Sequence, residues 1–107
     1  MKRDNAAMIE QAVTLLRAAA PGAKIIVFGS HARGQAAAGS DLDILVVEPE
    51  VKSRWDETVR LRDVLRPLRI PVDLVVVNET TFQKWADTPG TVYYEAATEG
   101  RVFDAVA

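Results

Sequence analysis

Residues 25–47 read IIVFGSHARGQAAAGSDLDILVV: two apolar runs parted by a short polar excursion, the second opening on two aspartates one residue apart. Short runs of this kind, rich in branched apolar side chains, are the pattern of strands buried on most sides. Side chains two apart in a strand share a face, so Asp41 and Asp43 present two carboxylates side by side while Leu42 and Ile44 enter the opposite layer. Like charges held that close disfavour each other's ionisation unless a cation lies between them. The pair has the character of half a metal site, facing a turn at Gly29-Ser30.

The rest of the chain alternates the two periods. Lys24–Phe28 and Leu42–Val47 read as strands, and Val72–Val77, VDLVVV, as a third. Met8, Ile9, Ala12, Val13, Leu15 and Leu16 form one apolar stripe, which predicts a helix from about Asp4 to Ala20, ended by Pro21-Gly22. Ser30 is placed to cap a short helix through His31–Ala38, closed by Gly39. A longer helix runs from Arg54 to about Arg66 and stops at Pro67 and Pro71. A helix from about Glu79 to Trp85 follows the third strand, then another over Thr91–Thr98, stopped by Gly100, with Arg101–Phe103 as an edge strand. Strands alternating with helices, with no repeat or linker, predict one α/β domain over residues 1–107.

Composition excludes more than it assigns. A chain of 107 residues with 49% hydrophobic and 26% charged residues suits one globular domain. A net charge of -2 gives no general attraction to nucleic acid. The absence of cysteine excludes disulfides and thiolate ligands. Apolar runs fall far short of the roughly 20 residues of a membrane helix, and Asp4, Asn5 and Glu10 interrupt any signal-type core. A cytoplasmic protein with no membrane partner is expected.

Gly29, without a Cβ, lets backbone amides approach a phosphate, and a helix N-terminus attracts anions. Ser30 adds a hydroxyl; a plain helix cap explains the same residues. Asp41 and Asp43 could equally be a capping turn at Ser40-Asp41 followed by a solvated acid. Asp73 stands alone in an apolar strand, where a buried charge is costly unless it is paired or ligates a metal; a salt bridge to a nearby arginine is its other reading. If the second and third strands are neighbours, Asp73 joins Asp41 and Asp43 in a hard oxygen site suited to magnesium. Arg33 reaches either phosphate or a carboxylate that braces the loop. His31 is expected to be exposed and without a catalytic role. Trp55, Trp85, Tyr93 and Tyr94 fit packing or interface positions. Arg54, Arg60, Arg62, Arg66 and Arg69 form a solvated helix face.

In order along the chain, GSHARG at Gly29–Gly34, SDLD at Ser40–Asp43 and the later Asp73 resemble the polymerase-β-like nucleotidyltransferase superfamily. The spacing is most similar to its minimal nucleotidyltransferase (MNT) branch, and the motif core spans residues 24–77. The resemblance implies a mixed sheet flanked by helices, two magnesium ions, and ATP as substrate. It implies that Gly29 and Ser30 hold the triphosphate, with Arg33 and Ser40 among the nucleotide-binding residues. Asp41 and Asp43 would ligate both metals; Asp73 would help bind the catalytic metal and take the proton from the attacking hydroxyl.

About thirty residues follow Asp73, too few for a further acceptor-binding domain, so a partner is expected to supply that surface or to be the acceptor. The resemblance implies a HEPN-type ribonuclease toxin as that partner, and transfer of AMP to one of its tyrosines by an antitoxin. Two other readings stay open: a binding module that occludes its partner without chemistry, and a small-molecule nucleotidyltransferase completed by a second subunit.

Overall fold

A computed structural model describes residues 5–36 and 40–104. Helix α1 (Asn5–Ala19) leads into strand β1 (Lys24–Phe28), then β2 (Leu42–Glu48), α2 (Arg54–Leu65), β3 (Val72–Asn78), α3 (Glu79–Trp85), α4 (Val92–Glu99) and β4 (Arg101–Phe103). The strands form a four-stranded sheet in the order β3-β2-β1-β4. Only β2 and β3 run parallel; β1 is antiparallel to both of its neighbours. The expected mixed sheet flanked by helices is formed, and the expected edge strand is β4. The expected start of α1 at Asp4 lies outside the described residues.

Two cores explain why the strands read as unbroken apolar runs. On one face, Ile25 and Val27 of β1, Leu42, Ile44 and Val46 of β2, and Leu74 and Val76 of β3 pack against Ile9, Ala12, Val13 and Leu16 of α1 and Leu61 and Leu65 of α2. On the other, Ile26, Phe28, Leu45, Val47 and Val77 meet Ala96, with Phe82, Val92 and Tyr93 packed around them. β2 is covered on both sides, so only its two acids break the run. Alternation puts Asp43 and Asp73 on the α3–α4 side.

Local chemistry sets the helix ends. The Ser53 hydroxyl accepts the Asp56 N–H, Asn78 accepts the Thr81 N–H, and Thr91 accepts the Tyr94 N–H, each satisfying a donor of a first turn. Gly100 ends α4 as expected. At the other end of the sheet, Arg54, the first residue of α2, donates from Nε to the Val76 carbonyl at 3.0 Å. Leu42 N–H bonds the Pro71 carbonyl, so odd-numbered residues of β3 face β2, and the Val76 carbonyl points to the open edge. Trp55 does not pack as a core residue: it is 76% exposed on the outer side of α2.

The far end of β2 carries an acid pair. Arg60 grips Glu57 with two bonds of 2.7 Å and donates to the Ala19 carbonyl at 3.0 Å, tying α2 to the end of α1. Burial first, then the hydrogen bond to Glu57, push Glu48 up to about 7. Glu57 is held low, first by Arg60 and then by Glu48. The pair therefore shares one proton, resting on Glu48. The folded protein holds that proton more tightly than the unfolded chain, so Glu48 ionisation costs stability as pH rises from 4.5 through about 7. Glu57 acts in the opposite sense, its contribution being lost as pH falls below 4.5. Glu48→Gln should thus gain thermal stability relative to wild type as pH is raised from about 5 to 8; melting curves across that range check it, and a pH-independent difference would contradict the shared proton.

Candidate active site

β1 is followed by Gly29, whose φ of 75° is closed to most side chains. Its open Cα face is filled by Asp43: a Cβ built on Gly29 would overlap that carboxylate. The glycine is therefore needed twice, for the turn and for the close approach of the acid. Beyond it the chain makes a single helical turn. Ala32 and Arg33 N–H groups bond the Gly29 carbonyl at 3.1 and 3.2 Å, Gly34 N–H bonds His31 O, and Gln35 N–H bonds Ser30 O at 2.9 Å. With Gly34 at φ 71°, these last two bonds are the crossed pair of a Schellman ending. The helix expected over His31–Ala38 thus closes after one turn, because Gly34 takes the left-handed conformation that ends a helix. The expected end at Ala38 and stop at Gly39 lie outside the described residues.

The acids line up across the sheet. Asp43 stands opposite Phe28 of β1 and opposite Asp73 of the parallel neighbour β3. Asp41, exposed, sits just before β2. The second and third strands are neighbours, so Asp73 does come beside Asp43, but it is not the buried charge that its apolar strand implied. Asp73 is exposed, so its charge carries no large burial cost, and it makes no ion pair with an arginine among the described residues.

Burial raises the Asp43 carboxyl above its ordinary value, and the negative charges of Asp73, Glu95 and Asp41 raise it further; His31 opposes them. Glu95, on α4, is a neighbour that sequence reasoning missed. Its only signal was an i, i+4 spacing with Glu99, which puts two acids on one helix face. Among the described residues no three acidic or histidine side chains converge as a ready-made metal cage. A magnesium–nucleotide needs none, since the ion takes one or two carboxylates and fills its shell with phosphate oxygens and water. The donors here are hard oxygens, and the crowded charge that raises Asp43 is what a divalent cation relieves. The residues fit the ion.

Arg33 makes the second of its two expected contacts. Its Nη1 lies 3.2 Å from Glu99 and 3.9 Å from Glu95, and its Nε donates to Gln35. These exposed pairs, worth about 0.2–1 kcal/mol each, brace the turn against α4. His31 departs from expectation: it is buried, at 9% exposure, and its Nε2 lies 3.1 Å from the Ser40 carbonyl. Ser30 and Ser40 are half-buried on either side of this contact.

The sequence matches the nucleotidyltransferase domain family over residues 9–101. No curated protein matches it. Among solved structures, a candidate minimal nucleotidyltransferase is 27% identical, with a TM-score of 0.64 over 92% of this chain and 95% of that one. A toxin–antitoxin complex with AMP-PNP is 26% identical, with a TM-score of 0.59 over 87% of this chain and 69% of that one. A tri-AMPylated HEPN toxin in complex with its MNT antitoxin, from Shewanella oneidensis, shares the fold at 21% identity, with a TM-score of 0.55 over 92% and 71% of the two chains. The family match runs from the buried stripe of α1 to the start of β4 and leaves no part of the described site outside it: the chain belongs to the nucleotidyltransferase domain family.

Proposed function

We propose that the protein transfers AMP from ATP, with magnesium, to a hydroxyl of a partner protein, a tyrosine of a HEPN-type ribonuclease toxin, and thereby acts as its antitoxin. The observation that carries the transfer chemistry is Asp43, half-buried against the Gly29 turn and opposite Asp73, with its carboxyl raised by burial and then by the surrounding acids. Support for the partner comes from the toxin–antitoxin neighbours and their nucleotide analogue and AMPylated toxin.

In this reading Gly29 lets the turn approach the triphosphate, Ser30 donates its hydroxyl to a phosphate oxygen, and Arg33 and Ser40 complete the nucleotide side. Asp41 and Asp43 would hold two magnesium ions, with Asp73 helping at one; bound there, the ions supply charge neutralisation and polarise the α-phosphate. The acceptor oxygen forms a bond to the α-phosphorus, the bond to the bridging oxygen breaks, and pyrophosphate leaves. The acceptor's proton passes to the Asp73 carboxylate, whose exposure puts it within reach of an incoming side chain.

Incubation with the partner toxin, ATP and magnesium should add AMP units to a toxin tyrosine, read by mass spectrometry. A partner that binds but stays unmodified would leave only occlusion. Asp43→Asn should abolish the strengthening of ATP binding by magnesium in calorimetry. It should also raise the melting temperature of the metal-free protein by roughly a few degrees, because it removes a charge that the folded state disfavours. Asp73→Asn should slow transfer by roughly 10²–10⁴-fold while changing nucleotide affinity far less; comparison of single-turnover rates with binding constants separates the two.

A further inference from the structure

The geometry points to His31 as a positioning residue that fixes Asp41, an inference that rests on the nucleotidyltransferase reading and deepens it. The Nε2 atom of His31 lies 3.1 Å from the Ser40 carbonyl oxygen. A carbonyl only accepts, so Nε2 carries the proton and donates. In the neutral ring this leaves Nδ1 as a bare acceptor, and Nδ1 is buried without a hydrogen-bond partner among the described residues. A buried, unsatisfied acceptor costs stability, and an apolar ring of similar size would avoid that cost. Besides the charge by which His31 opposes the acids around Asp43, the imidazole has what a phenyl ring lacks, the N–H that reaches Ser40, and a glutamine restores that N–H without the charge.

The accepting carbonyl belongs to the peptide group that joins Ser40 to Asp41. The bond therefore fixes the plane from which Asp41 departs. On its other side, Asp41 is anchored by Leu42, whose N–H bonds the Pro71 carbonyl at 2.9 Å. Asp43 needs no such help, because β1 and β3 hold it on both sides and it lies against Gly29. Asp41 stands outside the strand, and its spacing from Asp43 depends on the peptide group that His31 holds. Since His31 belongs to the Gly29–Gly34 turn, the bond also joins the phosphate side of the site to the carboxylate side across nine positions of sequence.

The test compares His31→Phe and His31→Leu, which fill space without a donor, with His31→Gln, whose amide restores one. The donor-less variants should fold with undiminished melting temperature. They should lose about 10–100-fold of the magnesium-dependent gain in affinity for a non-hydrolysable ATP analogue, and a similar factor in turnover number. Affinity for the analogue without magnesium should change little, and hydrogen exchange at the Leu42 amide, whose bond to the Pro71 carbonyl anchors Asp41 from its other side, should speed up. His31→Gln should recover most of each loss. Wild-type magnesium dependence and Leu42 exchange in His31→Phe would overturn the assignment, as would equal losses in His31→Phe and His31→Gln, or failure of both donor-less variants to fold. A wild-type protein with no magnesium-dependent nucleotide binding would instead overturn the proposed function, and the Leu42 exchange rates would still decide the role of the His31 bond.

Discussion

The parallel register between β2 and β3 is the constraint on which the acidic end of this molecule depends. It sets Asp43 beside Asp73 and Leu42 against Pro71, and it is enforced by burial rather than by the acids themselves. β2 is apolar toward α1 and α2 through Leu42, Ile44 and Val46, and apolar toward α3 and α4 through Leu45 and Val47. A slip of one residue would exchange these sets and carry Asp73 to the opposite face. Two full hydrophobic layers thus hold together carboxylates that electrostatics alone would drive apart.

That arrangement leaves the two ends of β2 in different states. At the Glu48 end, the chain supplies its own remedy: one proton shared between two carboxyls and an arginine gripping the second. At the Asp43 end, burial and three neighbouring acids act in one direction, and only His31 opposes them. Like charge that no arginine grips at the Asp43 end, unlike the Glu48 end, is a mark of a site shaped for something it binds.

Much of this was legible in the chain itself. The strands Lys24–Phe28, Leu42–Val47 and Val72–Val77 announced themselves by apolar runs, and the helix stops at Pro21-Gly22, Pro67 and Gly100 followed from local sterics. The paired acids on one face of β2 followed from the period of a strand. What failed had longer-range causes. Gly34 and Gly39 are equally able to end a helix, and the choice between them depends on the crossed hydrogen bonds that Gly34 makes. Asp73 resembled a buried charge because its strand is apolar, but β3 is an edge strand and its first residues meet solvent, a fact of topology rather than of composition. His31 is buried and bonds the Ser40 carbonyl, and the charge of Glu95 acts on Asp43 from a helix about fifty residues downstream. No local pattern encodes either meeting. Trp55, apolar and helical in spacing, is left outside the packed faces of α2.

The bond from Arg54 to the Val76 carbonyl has a consequence for association. A strand approaching the free edge of β3 would have to take that carbonyl for its own ladder. Arg54 is also the first residue of α2, following the Ser53 cap. The side chain that occupies the carbonyl is thus carried by the helix covering the sheet's buried face, and it puts a bulky cation across the strand edge. An incoming strand would have to displace both the bond and the cation, which makes this edge a poorer template for aggregation even though most of its residues are valines.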